Sequence, residues 1–141
     1  MKTFATAEDT YRRVDYDGDG VLEYSPTLAG LYSKGEINLV DRAFALAEFG
    51  PTCQPKAGYV FKVLTAQGPG APGGAKSYYK NGKMTEGYAL IAQPYSYDQS
   101  GLECFMISSA GVVYERDFGP DTDKAFDAIT EFDPTGWIVT E

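Results

Sequence analysis

Three aspartates at alternate positions, Asp15, Asp17 and Asp19, followed by Gly20, form the sharpest chemical pattern in the chain. Carboxylates spaced this way, with glycine at the sixth place to allow a sharp turn, can wrap a hard cation in oxygen ligands, and calcium suits them. In a twelve-residue calcium loop the seventh place is Val21, offering a backbone carbonyl, and the ninth is Glu23, ligating directly or through water. The twelfth place, where a bidentate glutamate would stand, is Pro26. The loop therefore needs a ligand from elsewhere, or water, and the expected affinity is that of extracellular modules, about 10⁻⁴–10⁻³ M. The competing reading is a solvated acidic turn whose aspartates cap nearby amides.

Other chemistry is thin. Histidine is absent, which removes the usual neutral-pH base, the Ser-His-Asp and Cys-His arrangements, and His-ligated metals. Cys53 and Cys104 can make neither a four-thiolate zinc site nor a C-x-x-C pair, which leaves one disulfide or two buried thiols. The disulfide is the expectation, and closing a loop of about 50 residues would contribute roughly 4 kcal/mol in the chain-entropy model. Ser77, Ser108, Ser109 and Lys83 have no activating partner that the sequence names, so no nucleophile is assigned. Paired carboxylates could hydrolyse glycosides, but no pair stands out, and Tyr59, Tyr88, Tyr95 and Tyr97 read as half-buried sheet residues rather than a sugar platform.

The stretch from Gly68 to Lys76 lacks phosphate-loop spacing, and Pro69 and Pro72 remove amide donors. Gly68, Pro69 and Pro72, with Tyr78 and Tyr79 beyond them, instead read as a candidate interaction loop. With 12 Lys plus Arg against 20 Asp plus Glu, the formal charge of -8 repels a phosphate backbone, so nucleic acid is not an expected partner.

The 141 residues, 43% of them apolar, suffice for one domain with one core. Phe4, Ala7 and Tyr11 predict a helix over residues 2–13, and the acidic loop follows it. Ser25-Pro26 reads as cap and first residue of a short helix through Leu28, Leu31 and Tyr32 that Gly35 stops, and Leu39 to Phe49 as another. Strands are predicted at 59–64, 87–92, 102–107 and 112–116. The last two form a hairpin across Ser108–Gly111, and the first two are separated by a long exposed excursion. A helix opening at Asp121 or Thr122 would point Phe126, Ile129 and Phe132 inward until Asp133-Pro134 ends it, and Trp137–Val139 is a candidate fifth, edge strand. The fold class is α+β: N-terminal helices, a four-stranded antiparallel sheet and a C-terminal helix.

Residues 2–12 followed by Asp15-Tyr16-Asp17-Gly18-Asp19-Gly20-Val21-Leu22-Glu23-Tyr24 resemble the stretch after the membrane half of the first helix in type IV pilin-like proteins. That resemblance implies a pilin-like fold, a helix carried on a four-stranded sheet, with copies of itself or other pilin-like subunits as partners. A longer resemblance runs through Thr65-Ala66-Gln67-Gly68-Pro69-x-Ala71-Pro72-Gly73-Gly74-Ala75, Asn81-Gly82-Lys83-Met84 and Asp117-Phe118-Gly119-Pro120. It is similar to an exported bacterial family of uncharacterised function, and it implies no catalytic residue.

The start of the chain has neither an export signal nor an apolar span. A periplasmic or extracellular location is nonetheless the expectation, with a leader or anchor preceding the sequence and membrane contact made only through an N-terminal helix absent from it. The expected role is a non-enzymatic structural or assembly subunit, with calcium as its one candidate cofactor. The alternative is a monomeric periplasmic module that binds a glycan or peptide.

Overall fold

In a computed structural model, residues 1–140 are described. The chain opens with helix α1 (Lys2–Tyr11), whose buried face is Phe4, Ala7, Glu8 and Tyr11. Arg12 and Arg13, expected in the helix, form the turn that leaves it. Helix α2 (Leu28–Ser33) is capped by Thr27, which accepts from the Gly30 amide at 3.0 Å, rather than by Ser25. Ser25 instead uses its hydroxyl locally, accepting from the Thr27 amide and donating to the Thr27 carbonyl.

Helix α3 (Arg42–Leu46) is shorter than the Leu39–Phe49 periodicity suggests. Asp41 caps it, accepting from the Phe44 amide at 2.7 Å. Beyond its two ends the backbone is engaged elsewhere: the Leu39 amide donates to Leu31, and Phe49 and Ala47 exchange hydrogen bonds with Phe61. Tertiary pairing thus displaces helical continuation at both ends.

The strands follow: β1 (Tyr59–Leu64), β2 (Ala66–Gln67), β3 (Lys76–Ser77), β4 (Tyr79–Lys80), β5 (Lys83–Met84), β6 (Ala89–Pro94), β7 (Cys104–Ser108) and β8 (Val113–Arg116). Helix α4 (Thr122–Ala128) and strand β9 (Ile138–Val139) complete the chain. The architecture is α+β, but the main sheet has five strands rather than four, in the order β1-β6-β7-β8-β9, with every neighbour antiparallel. Ile138 and Val139 supply the fifth by pairing with Glu115 and Tyr114. Two ribbons, β2-β3 and β4-β5, lie in the connection from β1 to β6.

Helices cover both faces of this sheet. Register places Phe61, Ala92 and Phe105 on one face, where Phe44 of α3 meets Phe61 with ring centroids 4.7 Å apart. Lys62, Ile91, Met106 and Tyr114 point to the other, where Tyr114 meets Phe132 and the Lys62 ammonium sits 4.4 Å from the centre of the Phe126 ring. Strand β6 is accordingly buried along its whole length, which explains its unbroken Ala-Leu-Ile-Ala run in place of alternation.

Phe132 reaches the core by a different route from the one its spacing predicts. Helix α4 ends at Ala128, and Phe132 arrives on an extended segment that donates to Ala66 and accepts from Gly68.

Candidate functional site

The acidic loop begins four residues after α1, and its own amides order it. Asp15 Oδ2 accepts from the Gly20 amide at 2.7 Å and Asp19 Oδ1 accepts from the Val21 amide at 2.8 Å. Gly18 and Gly20 adopt φ of 68° and 83°, a left-handed conformation that side chains disfavour. These turns bring one oxygen each of Asp15, Asp17 and Asp19 within 4.8 Å of one another.

What holds the convergent carboxylates is a residue that sequence reasoning left without a partner. Lys83 Nζ lies 2.7 Å from Asp17 Oδ2, 2.6 Å from Asp19 Oδ2 and 3.4 Å from Glu23 Oε2. The ammonium reaches the loop because Asn81 and Gly82, at φ of 54° and 76°, fold β4 and β5 into a tight hairpin that presents Lys83. A second tie runs from the Tyr24 amide to the Met84 carbonyl. The ion pairs hold the Asp17 carboxyl well below the usual carboxylate range and push the Lys83 ammonium above its ordinary value.

Asp15 Oδ1 is buried without a hydrogen-bond partner, and Glu23 Oε2 meets Lys83 only as a charge contact. Asp15, Asp17, Asp19 and Glu23 thus keep oxygens that a hard cation could share, with Lys83 as its competitor. Val21 belongs to the loop through its amide, and its side chain is exposed.

Glu8 is a second residue that the sequence pattern does not single out. It is fully buried on α1, with Oε1 accepting from the Ser25 amide at 2.8 Å and Oε2 unpartnered. Burial pushes its carboxyl up to about 9, against the lowering effect of the Ser25 amide, so it is neutral at pH 7. The available signal was its place on the stripe of Phe4, Ala7 and Tyr11, since residues three and four apart on a helix share one face.

The Gly/Pro segment is an ordered loop, not a free excursion. Gln67 Nε2 donates to the carbonyls of Pro72 and Gly74, each at 2.8 Å, and Gln67 Oε1 accepts from the Tyr78 hydroxyl at 3.0 Å. Tyr78 is completely buried, so it belongs to the core rather than to a contact surface. Gly68 is buried too, whereas Pro69, Pro72 and Tyr79 are exposed. Asp133 lies so close that a Cβ at Gly68 would stand 2.7 Å from its Oδ2.

Cys53 and Cys104 are free thiols, contrary to the expected disulfide. Cys104 is sealed in β7, where burial pushes its thiol up to about 12. Cys53 is fixed on a separate turn, its amide donating to Gly50 and that of Gln54 to Leu46. Among the described residues no helix is long and apolar enough to cross a membrane.

Fold and loop together define an α+β protein in which a helix-flanked antiparallel sheet carries a lysine-clamped acidic loop. The chain belongs to the family described as Protein of unknown function (DUF2950), whose model matches residues 1–139. No curated protein and no solved structure matches it.

Proposed function

We propose that this chain is a non-enzymatic, extracytoplasmic structural or assembly subunit of pilin type, in which the acidic loop braces the end of the first helix and calcium reinforces the brace. One observation carries the reading: the loop that leaves α1 is fastened to the β4-β5 hairpin through Lys83, Asp17 and Asp19. Such a junction ties the end of the helix to the hairpin without chemistry. Calcium would draw on Asp15, Asp17, Asp19 and Glu23 and would have to displace Lys83. Partners on this reading are further copies of the chain or other pilin-like subunits. The reading is tested by negative-stain imaging of the protein expressed in its own host: filaments or membrane-anchored assemblies are expected, and their absence overturns it.

A second reading, a monomeric periplasmic module for a glycan or peptide, is favoured by a groove of about 370 Å³ lined by Tyr59, Phe61 and Phe105 on the α3 face. Glycan and peptide arrays that return no hits would remove it.

A further inference from the structure

On the opposite face of the sheet, a cavity of about 380 Å³ lies between the segment after α3, strands β1 and β6, and helix α4. Phe49, Val60, Gln93, Tyr95, Asp123 and Asp127 contribute to its walls, and the part-buried Cys53 adjoins them. Asp123 and Asp127 stand one turn apart on α4, which sets their Cβ atoms about 5–6 Å from each other. Among the described residues neither carboxylate takes part in an ion pair, since those present involve Lys56 and Lys83.

Lys62 feels the charge of Asp127, but its ammonium is engaged by α4 itself, donating to the Phe126 carbonyl at 2.6 Å and lying over the Phe126 ring. Gln93 is only 5% exposed, and its buried Oε1 has no hydrogen-bond partner. An unpaired amide oxygen in that position is costly unless a donor reaches it, and the amide can turn to present either end. Phe49 and Tyr95 leave broad, half-exposed aromatic surface beside these acceptors.

We propose that this cavity binds a primary ammonium group carried on a short aliphatic stem. The three N–H donors of an ammonium match the two carboxylates and the Gln93 amide oxygen, which is sealed in this conformation and meets the cavity when the amide turns, while the stem lies along Phe49 and Tyr95. Anions are repelled by Asp123 and Asp127. A metal ion is the poorer fit, because among the described residues only Asp15, Asp17 and Asp19 bring three acidic or thiol ligands into mutual reach. The same chemistry occurs in a lysine side chain on a peptide and in a free alkyl diamine.

The test is a titration of isotope-labelled protein, followed by amide resonances, with 1,5-diaminopentane, with N-acetyl-lysine-N-methylamide, and with the Nε-acetylated form of the latter. Saturable shifts at residues 93 and 123–127 with an amine, and none with the acetylated probe, are expected. Binding by the lysine probe alone marks a peptide ligand, and binding by the diamine alone marks a small amine. Asp123→Asn combined with Asp127→Asn, both at exposed positions, should weaken binding by about tenfold or more, with circular dichroism confirming that the helix is kept. Gln93→Met should weaken it less while leaving the fold intact by circular dichroism. No saturable shift at these resonances, equal binding of the acetylated probe, or undiminished binding by the double variant would overturn the proposal.

Discussion

Lys83 and Asp17, 66 residues apart in the chain, meet at 2.7 Å and join the loop after the first helix to a hairpin between sheet strands. The same ammonium reaches Asp19, so one cation neutralises carboxylates that would otherwise repel one another. Because the pair is exposed, it orders the loop more than it adds to global stability.

Lys83→Met should speed hydrogen exchange at residues 17–21 with little change in the core. If calcium competes for this loop, the same variant binds it more tightly, by about fivefold, because no ammonium has to leave first. Asp17→Asn and Asp19→Asn lose the binding heat. Calorimetric titration into chelator-treated protein reads all three, and wild type silent to millimolar calcium removes calcium from the account.

Glu8 sets a pH dependence of unusual sign for a carboxylate. Its pKa is raised on folding from 4.5 to about 9, so between those values the folded chain holds a proton that the unfolded chain releases. Stability from this group is fully present below about pH 4.5 and declines as pH rises towards 9, by at most about 1.4 kcal/mol per pH unit. Glu48, also raised by burial, adds to the decline. Asp17, Asp41 and Asp133 have lowered values and act in the opposite sense, costing stability only in strong acid. Glu8→Gln keeps an acceptor for the Ser25 amide and should flatten the loss above neutrality, as urea midpoints measured from pH 5 to 9 would show.

Tyr78→Phe removes the hydroxyl that donates to Gln67 and leaves a buried acceptor unpaired, at a cost of about 1–2 kcal/mol. The Gly/Pro loop that Gln67 holds should then be cut faster by protease between residues 68 and 75, while the sheet stays protected. Cleavage at the wild-type rate would separate the loop's order from this hydrogen bond.

Thiol titration of the native protein should find Cys53 accessible and Cys104 protected until unfolding. Reductant should leave the melting temperature unchanged, since no cross-link is there to lose. A fall of several degrees on reduction would restore the disulfide.

Phe126→Ala, at a fully buried ring packed against Phe49 and beneath the Lys62 ammonium, should cost about 3–5 kcal/mol. Thermal or denaturant unfolding measures it directly.

Local chemistry was legible wherever its causes are local. The helical stripe of Phe4, Ala7 and Tyr11, the turn at Asn81-Gly82, the hairpin between β7 and β8 and the self-bonded aspartate loop all rest on neighbours within a few residues. Helix α3 and the end of α4 are shorter than their apolar spacing predicts, because backbone groups at Ala47, Phe49 and Phe132 find better partners in β1 and β2. The fifth strand depends on Ile138 and Val139 returning to pair with β8 after α4. Only the tertiary structure could give Lys83 its carboxylates, bury Glu8 and Tyr78, and keep the two thiols apart. Periodicity and turn propensity act over a few residues, whereas ion pairing and desolvation act between whichever groups the folded chain sets side by side.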